Sequence, residues 1–213
     1  MWAAPARRCR IRRHVRHTLD DVGSKNASND IGSRFSRVVR ELEGVRLRPE
    51  VSLTEVPAPG RIAPYSVAMT ADVATSDDDE LATGRFVVLH DPSCPEPWDG
   101  AWRVVTFARA ELEPELASDP LLGEVGWSWL TDALHEAGAA FTAEAGTVTR
   151  VLSQGFGGLT ENGTSVEMEI RASWTPTTDD LTTHLQAWGA MLCTIAGLPP
   201  LPEGVVALPG QRR

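Results

Sequence analysis

The segment SVEMEIRASW, Ser165 to Trp174, alternates without a break, with Val166, Met168, Ile170, Ala172 and Trp174 at one parity and Glu167, Glu169, Arg171 and Ser173 at the other. A period of two belongs to a strand with one face against a core and the other in contact with water, which is the habit of antiparallel rather than fully buried parallel sheets. Few other patterns restrict a chain so much. Any fold for this sequence has to supply a sheet with one covered face, and elements to cover it.

Partner strands are read from the same period. Val51, Leu53, Thr54 and Val56 form an extended run before the turn Pro57-Ala58-Pro59-Gly60, and a second strand passes through Tyr65, Val67, Met69 and Val73. The acidic stretch Ser76 to Glu80 reads as a hairpin loop. A third strand, Gly84 to His90, ends in the proline-broken Asp91-Pro92-Ser93-Cys94-Pro95-Glu96-Pro97, and Trp98-Asp99-Gly100 opens a fourth through Val104, Val105 and Phe107. Two more strands are placed at about Thr147 to Ser153 and Ser165 to Trp174.

The covering elements have a different period. Ser33 can cap a short helix to about Glu43, with Phe35, Val38, Val39 and Leu42 on one stripe. Leu121, Leu122, Val125, Trp129, Leu130, Ala133, Leu134 and Ala137 recur at helical spacing between Asp119-Pro120 and Gly138. A last helix begins at Asp179 or Asp180, carries Leu181, Leu185, Trp188, Leu192 and Ile195, and stops at Gly197-Leu198-Pro199-Pro200. The order of elements predicts an α+β fold: a mainly antiparallel sheet of about six strands, two long helices packed on one face and a short N-terminal helix. Residues 31–203 are expected to form a single domain, and 204–213 a tail.

Charge is unevenly distributed. The chain has 213 residues and a net charge of −9; residues 1–30, with six arginines and Lys25 against three aspartates, carry +4, which leaves −13 for the remainder. An acidic body repels phosphate backbones. Nucleic acid is therefore not expected on the body, and an RNA-linked accessory role rests on the leader, where Arg7, Arg8, Arg10, Arg12, Arg13 and Arg16 lie close together. The competing reading of the leader is a disordered or mis-assigned start, with translation beginning at a residue such as Val22. No apolar segment of secretory or transmembrane length follows it, so the expected setting is cytoplasmic, with no membrane partner.

Searches for chemistry return one weak cluster. The three cysteines, Cys9, Cys94 and Cys193, are far apart, which disfavours a disulfide framework or a thiolate zinc site, and Cys193 falls in an apolar helical run. Gln154 to Gly163 is glycine-rich, but Thr160 stands where the last glycine of a dinucleotide loop belongs, and a strand follows instead of a helix. His90, Asp91, Trp98, Asp99 and Arg103 gather titratable and aromatic groups at the end of one strand and the start of the next, a candidate small-molecule site; the competing reading gives Asp91 and Asp99 to the turns. His135 and His184 sit on helices without metal-binding spacing. No metal or cofactor is expected, and the balance leans away from an enzyme. In EVGWSWLTDAL, Glu124 to Leu134, Trp129 falls in the apolar stripe and is assigned to the core; Trp127 lies at its edge and is the candidate contact residue.

RLRPEVSLTEVPAPGRIAPYSVAM, TGRFVVLHDP, WDGAWRVVTFARAELEPE, DPLLGEVGWSWLTDAL, AGTVTR and EIRASWTP, followed by a helix ending AGLPP, resemble the actinobacterial domain-of-unknown-function family 3000. The likeness runs from about Phe35 to Pro200. It implies a bacterial protein in a cytoplasmic housekeeping setting, and it implies no activity, cofactor or catalytic residue. The first functional expectation is thus a non-catalytic interaction or accessory domain that binds protein partners, with a homodimer compatible. The second is a small-molecule-binding protein or enzyme with its site at the 90–103 hairpin.

Overall fold

A computed structural model of the chain describes residues 21–75 and 80–200. Most of the basic leader, the 204–213 tail and nearly all of the acidic 76–80 loop therefore lie outside the described residues.

The alternating segments pair into one six-stranded sheet, β1 (Val51–Val56), β2 (Tyr65–Ala74), β3 (Glu80–His90), β4 (Trp102–Leu112), β5 (Phe141–Gln154) and β6 (Thr164–Pro176). Their spatial order is β1-β2-β3-β4-β6-β5, and every pairing is antiparallel. Parity decides the faces, because residues directly opposite one another in an antiparallel ladder point the same way. The row Met69, Phe86, Thr106 and Ala172 therefore looks to one side, and Thr70, Arg85, Phe107 and Arg171, one residue along, look to the other. Strands β3, β4 and β5 are longer than the apolar runs that reveal them, since ladder hydrogen bonds continue through Ala, Thr and Gly residues that carry little hydrophobic signal.

Three helices accompany the sheet: α1 (Asp21–Glu43), α2 (Leu122–Glu136) and α3 (Thr182–Ile195). The first is already helical at Asp21, well before the Ser33 cap expected from sequence, and so takes in the end of the presumed leader. Its C-terminal half reaches the core through the fully buried Val38 and Leu42 with Phe35 and Val39 beside them. That half is the part whose apolar spacing is visible.

Trp188 of α3 meets Phe86 of β3 with ring centroids 5.5 Å apart. On α2 the inward face is Leu122, Gly126, Leu130, Ala133 and Leu134. A Cβ on Gly126 would lie 2.9 Å from the sulfur of Met168, so the helix touches β6 through a residue with no side chain. The expected stripe holds at Leu122, Leu130, Ala133 and Leu134, whereas Val125 is 37% exposed and Trp129 is half-buried against the core. Trp174, Trp188, Phe86, Leu130, Leu134 and Met168 are among the largest fully buried side chains, all in one continuous cluster. Cys193 is buried as a small apolar residue.

Candidate functional site

The five polar and aromatic residues singled out at the third hairpin do not converge. His90 and Arg103 belong to adjacent strands but differ in parity: His90 pairs with Trp102, and Arg103 is opposite Leu89. They therefore face opposite sides of the sheet.

His90 lies on the helix side, 2% exposed, in a box of Phe35, Tyr65 and Trp102; the Trp102 ring stands edge-on at 4.1 Å between centroids. Neither ring nitrogen has a hydrogen-bond partner among the described residues. Burial lowers its pKa, and the nearby positive charge of Arg34 pushes the same way. Above the box, Asp179 accepts from Arg34, from Arg37 and, at 3.1 Å, from the indole nitrogen of Trp102, and the Arg34 guanidinium lies 5.9 Å from the Trp102 ring centroid. The hydrogen bond from Arg34 holds the Asp179 carboxyl below its usual range. Sequence reading starts the last helix at Asp179 or Asp180. The helix runs from Thr182, and Asp180 accepts from the Thr182 N–H at 3.1 Å just before it. Nothing local marks Asp179 as a clamp, because Arg34 lies 145 positions away.

Asp91 and Asp99 serve their turns. One oxygen of Asp91 accepts from the Ser93 N–H at 2.9 Å, and Asp99 takes a left-handed conformation at φ 55° to close the short turn Glu96–Trp98. Trp98 joins Val56, Ala58 and Ala63 over Ala68, Val87 and Leu89, a small cluster that roofs one end of the open sheet face. Trp127 is half-buried against the core, and its ring would lie 2.5 Å from a Cβ on Gly146. That glycine is what admits the indole.

Beyond the roof, the open face carries a shallow hollow of about 570 Å³ over β3, β4, β6 and β5. Val87, Val105 and Phe107 give it an apolar floor, with Arg85, Arg171 and Ser173 around them. Arg171 pairs with Glu169 and lies over the Phe107 ring, 5.3 Å from its centroid, while Arg109 pairs with Glu167 farther along. Arg85 and Arg103 are different. Arg85 donates to the carbonyl of Pro57 at 2.9 Å, and Arg103 donates to the Ala143 carbonyl at 2.8 Å and to the hydroxyls of Thr175 and Ser173 at 3.1 and 2.6 Å. Neither has a carboxylate at ion-pair distance among the described residues. Burial without a compensating anion lowers the Arg103 pKa.

Four arginines, Arg85, Arg103, Arg109 and Arg171, thus share one face with Glu111, Glu167 and Glu169. Alternation within β6 already turns Arg171 outward. The neighbouring arginines come beside it only through a strand order that is not written locally. The hollow is lined by no His, Cys, Asp or Glu. Among the described residues, no three such side chains cluster closely enough to hold a metal ion, and no helix is long and apolar enough to cross a membrane.

An α+β domain built on one antiparallel six-stranded sheet is the class of protein this geometry defines. Residues 31–206 match the family described as protein of unknown function (DUF3000), and the chain belongs to that family. Comparison with curated proteins and with solved structures found no match.

Proposed function

We propose that this chain is a non-catalytic binding domain whose open sheet face receives an acidic segment of a protein partner that also carries apolar side chains. One observation carries the reading: Arg85, without a carboxylate partner among the described residues, lines the hollow beside Val87, Val105 and Phe107, and Arg103, likewise without one, lies two residues before Val105 on the same strand face. A guanidinium without a carboxylate partner can receive a bidentate carboxylate, and the exposed Val105 and half-buried Phe107 supply apolar area beside it. The lining favours binding over chemistry, because it offers no general base or acid, and the Ser173 hydroxyl is held by Arg103 rather than by a base that could activate it. An odd number of widely spaced cysteines fits a cytoplasmic setting.

A small-molecule ligand is the second reading, favoured by a volume within the range of small-ligand sites and by the bond from Arg103, one of the hairpin candidates, to Ser173 at the hollow. The two separate in a single binding experiment. Peptides that alternate acidic and aromatic residues are titrated into the full chain beside free aromatic carboxylates. Peptide binding that falls about tenfold or more, roughly 1.4 kcal/mol, in Arg85→Glu and in Phe107→Ala supports the protein-partner reading. Binding of the free carboxylates alone transfers the site to a small molecule, and peptide binding indifferent to both substitutions removes it from this face.

A further inference from the structure

The two edges of the sheet are unequally guarded. An exposed edge presents unpaired N–H and C=O groups to any other strand, and soluble proteins blunt such edges by shortness, proline, charge or bulges. At one edge, β1 has six residues and runs directly into Pro57. At the other, β5 has fourteen, and from Ala143 to Gln154 all are exposed except the half-buried Val148. Among the described residues its ladder runs to β6 alone. The one guard lies near its start, where Ala143 takes φ 51° at a break in register between Thr142 and Ala145.

Past that break the strand reads EAGTVTRVLSQ, Glu144 to Gln154, and Glu144 and Arg150 are its only charges. They have the same parity. Arg150 is opposite Met168 and Gly146 opposite Ala172, both on the helix side. Glu144 closes the break between Thr142 and Ala145, two residues before Gly146, and is assigned its parity by continuing the regular strand back from Ala145. Six positions separate the charges, so antiparallel pairing of this strand with itself about Thr147 sets Glu144 of each copy opposite Arg150 of the other, twice in one interface. Centring the pair on Gly146 or Val148 loses both matches, placing Glu144 against Val148 or Leu152. In the matched register Ala145 meets Thr149, Gly146 meets Val148 and Thr147 meets Thr147. Arg150 donates to the Asp119 carbonyl through one nitrogen only, which leaves other donors for a carboxylate.

We infer that β5 is an interface for a second copy of this chain, pairing antiparallel about Thr147 to join two six-stranded sheets into one. The exposed apolar groups of this edge are consistent with such use. Val151, Leu152, Phe156 and Leu159 are 37%, 59%, 74% and 61% exposed. The pairing uses the β5 edge, whose Ala145, Gly146 and Thr147 also line the open-face hollow, but its test reads self-association and is decided separately from the ligand proposed there.

The full chain is measured by sedimentation over a range of micromolar concentrations, with circular dichroism confirming that each variant is folded. A reversible dimer is expected. Glu144→Arg and Arg150→Glu each place like charges opposite one another at both ends of the pair and weaken association about tenfold or more, and the double exchange restores it. Thr147→Cys forms a reducible covalent dimer on mild oxidation, because directly opposed residues lie about 4.5–5.5 Å apart at Cα, within disulfide reach. Thr149→Cys, opposite Ala145, and the unaltered chain serve as controls and do not form one. A chain that stays monomeric throughout overturns the inference. So does association unchanged by either single exchange, or a folded double exchange that fails to recover it.

Discussion

Along β4, Trp102, Val104, Ala108 and Ala110 are buried on the helix side, while Arg103, Val105, Phe107 and Arg109, each one residue away, look onto the open side. Both sets share the same ladder of backbone hydrogen bonds, so the contrast belongs to side chains alone. On the helix side, aromatic and aliphatic groups exclude water so fully that ring nitrogens of His90, His184 and Trp188 lack partners among the described residues. On the open side, guanidiniums and a phenyl ring remain accessible at a cost to stability that the other face offsets. Parity, more than position along the chain, separates what holds the fold from what is left to bind.

The largest expected break of this contrast comes from substituting across parity. Trp174 is fully buried and donates to His184 at 3.0 Å, so Trp174→Ala is expected to cost about 3–5 kcal/mol in chemical denaturation. Val105→Ala, on the open face, is expected to stay within about 0.5 kcal/mol. Equal losses at the two positions would abolish the distinction between the faces.

Acid sharpens it next. Burial lowers the pKa of His184 from its usual 6.5 to about 4, and its Nδ1 accepts the Trp174 indole bond, so the folded protein holds the neutral ring. A depressed histidine contributes stability in full above its unfolded pKa. That contribution is lost as pH falls from about 6.5 to about 4 and does not change further below, a total on the order of 3 kcal/mol. His90 shifts in the same direction. Unfolding titrations between pH 7 and pH 4 should therefore show the helix side losing stability, and His184→Gln should flatten the slope. A slope unchanged by that substitution assigns the acid sensitivity elsewhere.

Much of the fold could be read from periodicity, and the site hardly at all. The unbroken alternation of β6 and the helical stripe of α3 gave correct element types because burial imposes a period on the sequence. Trp129 packs against the core only half-buried, and the close contact of α2 with Met168 falls to Gly126, a residue that adds nothing to a hydrophobic count. His90 and Arg103 looked like neighbours because they are near in sequence, whereas adjacent strands of opposite parity set them on opposite sides. Arg85, Phe107 and Arg171 come from three strands and share a row only in the paired sheet. Asp179 likewise needs α1 folded back against Trp102 before its role exists.

Amide chemical shifts, followed while a peptide of alternating acidic and aromatic residues is titrated into the full chain, test the division between faces most directly. The shifts expected to move are those of Val87, Val105, Phe107, Arg171 and Ser173, with Leu130, Leu134, Trp188 and Leu192 on the helices unmoved. Movement confined to α2 and α3, or to the box around His90, with the open-face residues unchanged, would contradict it.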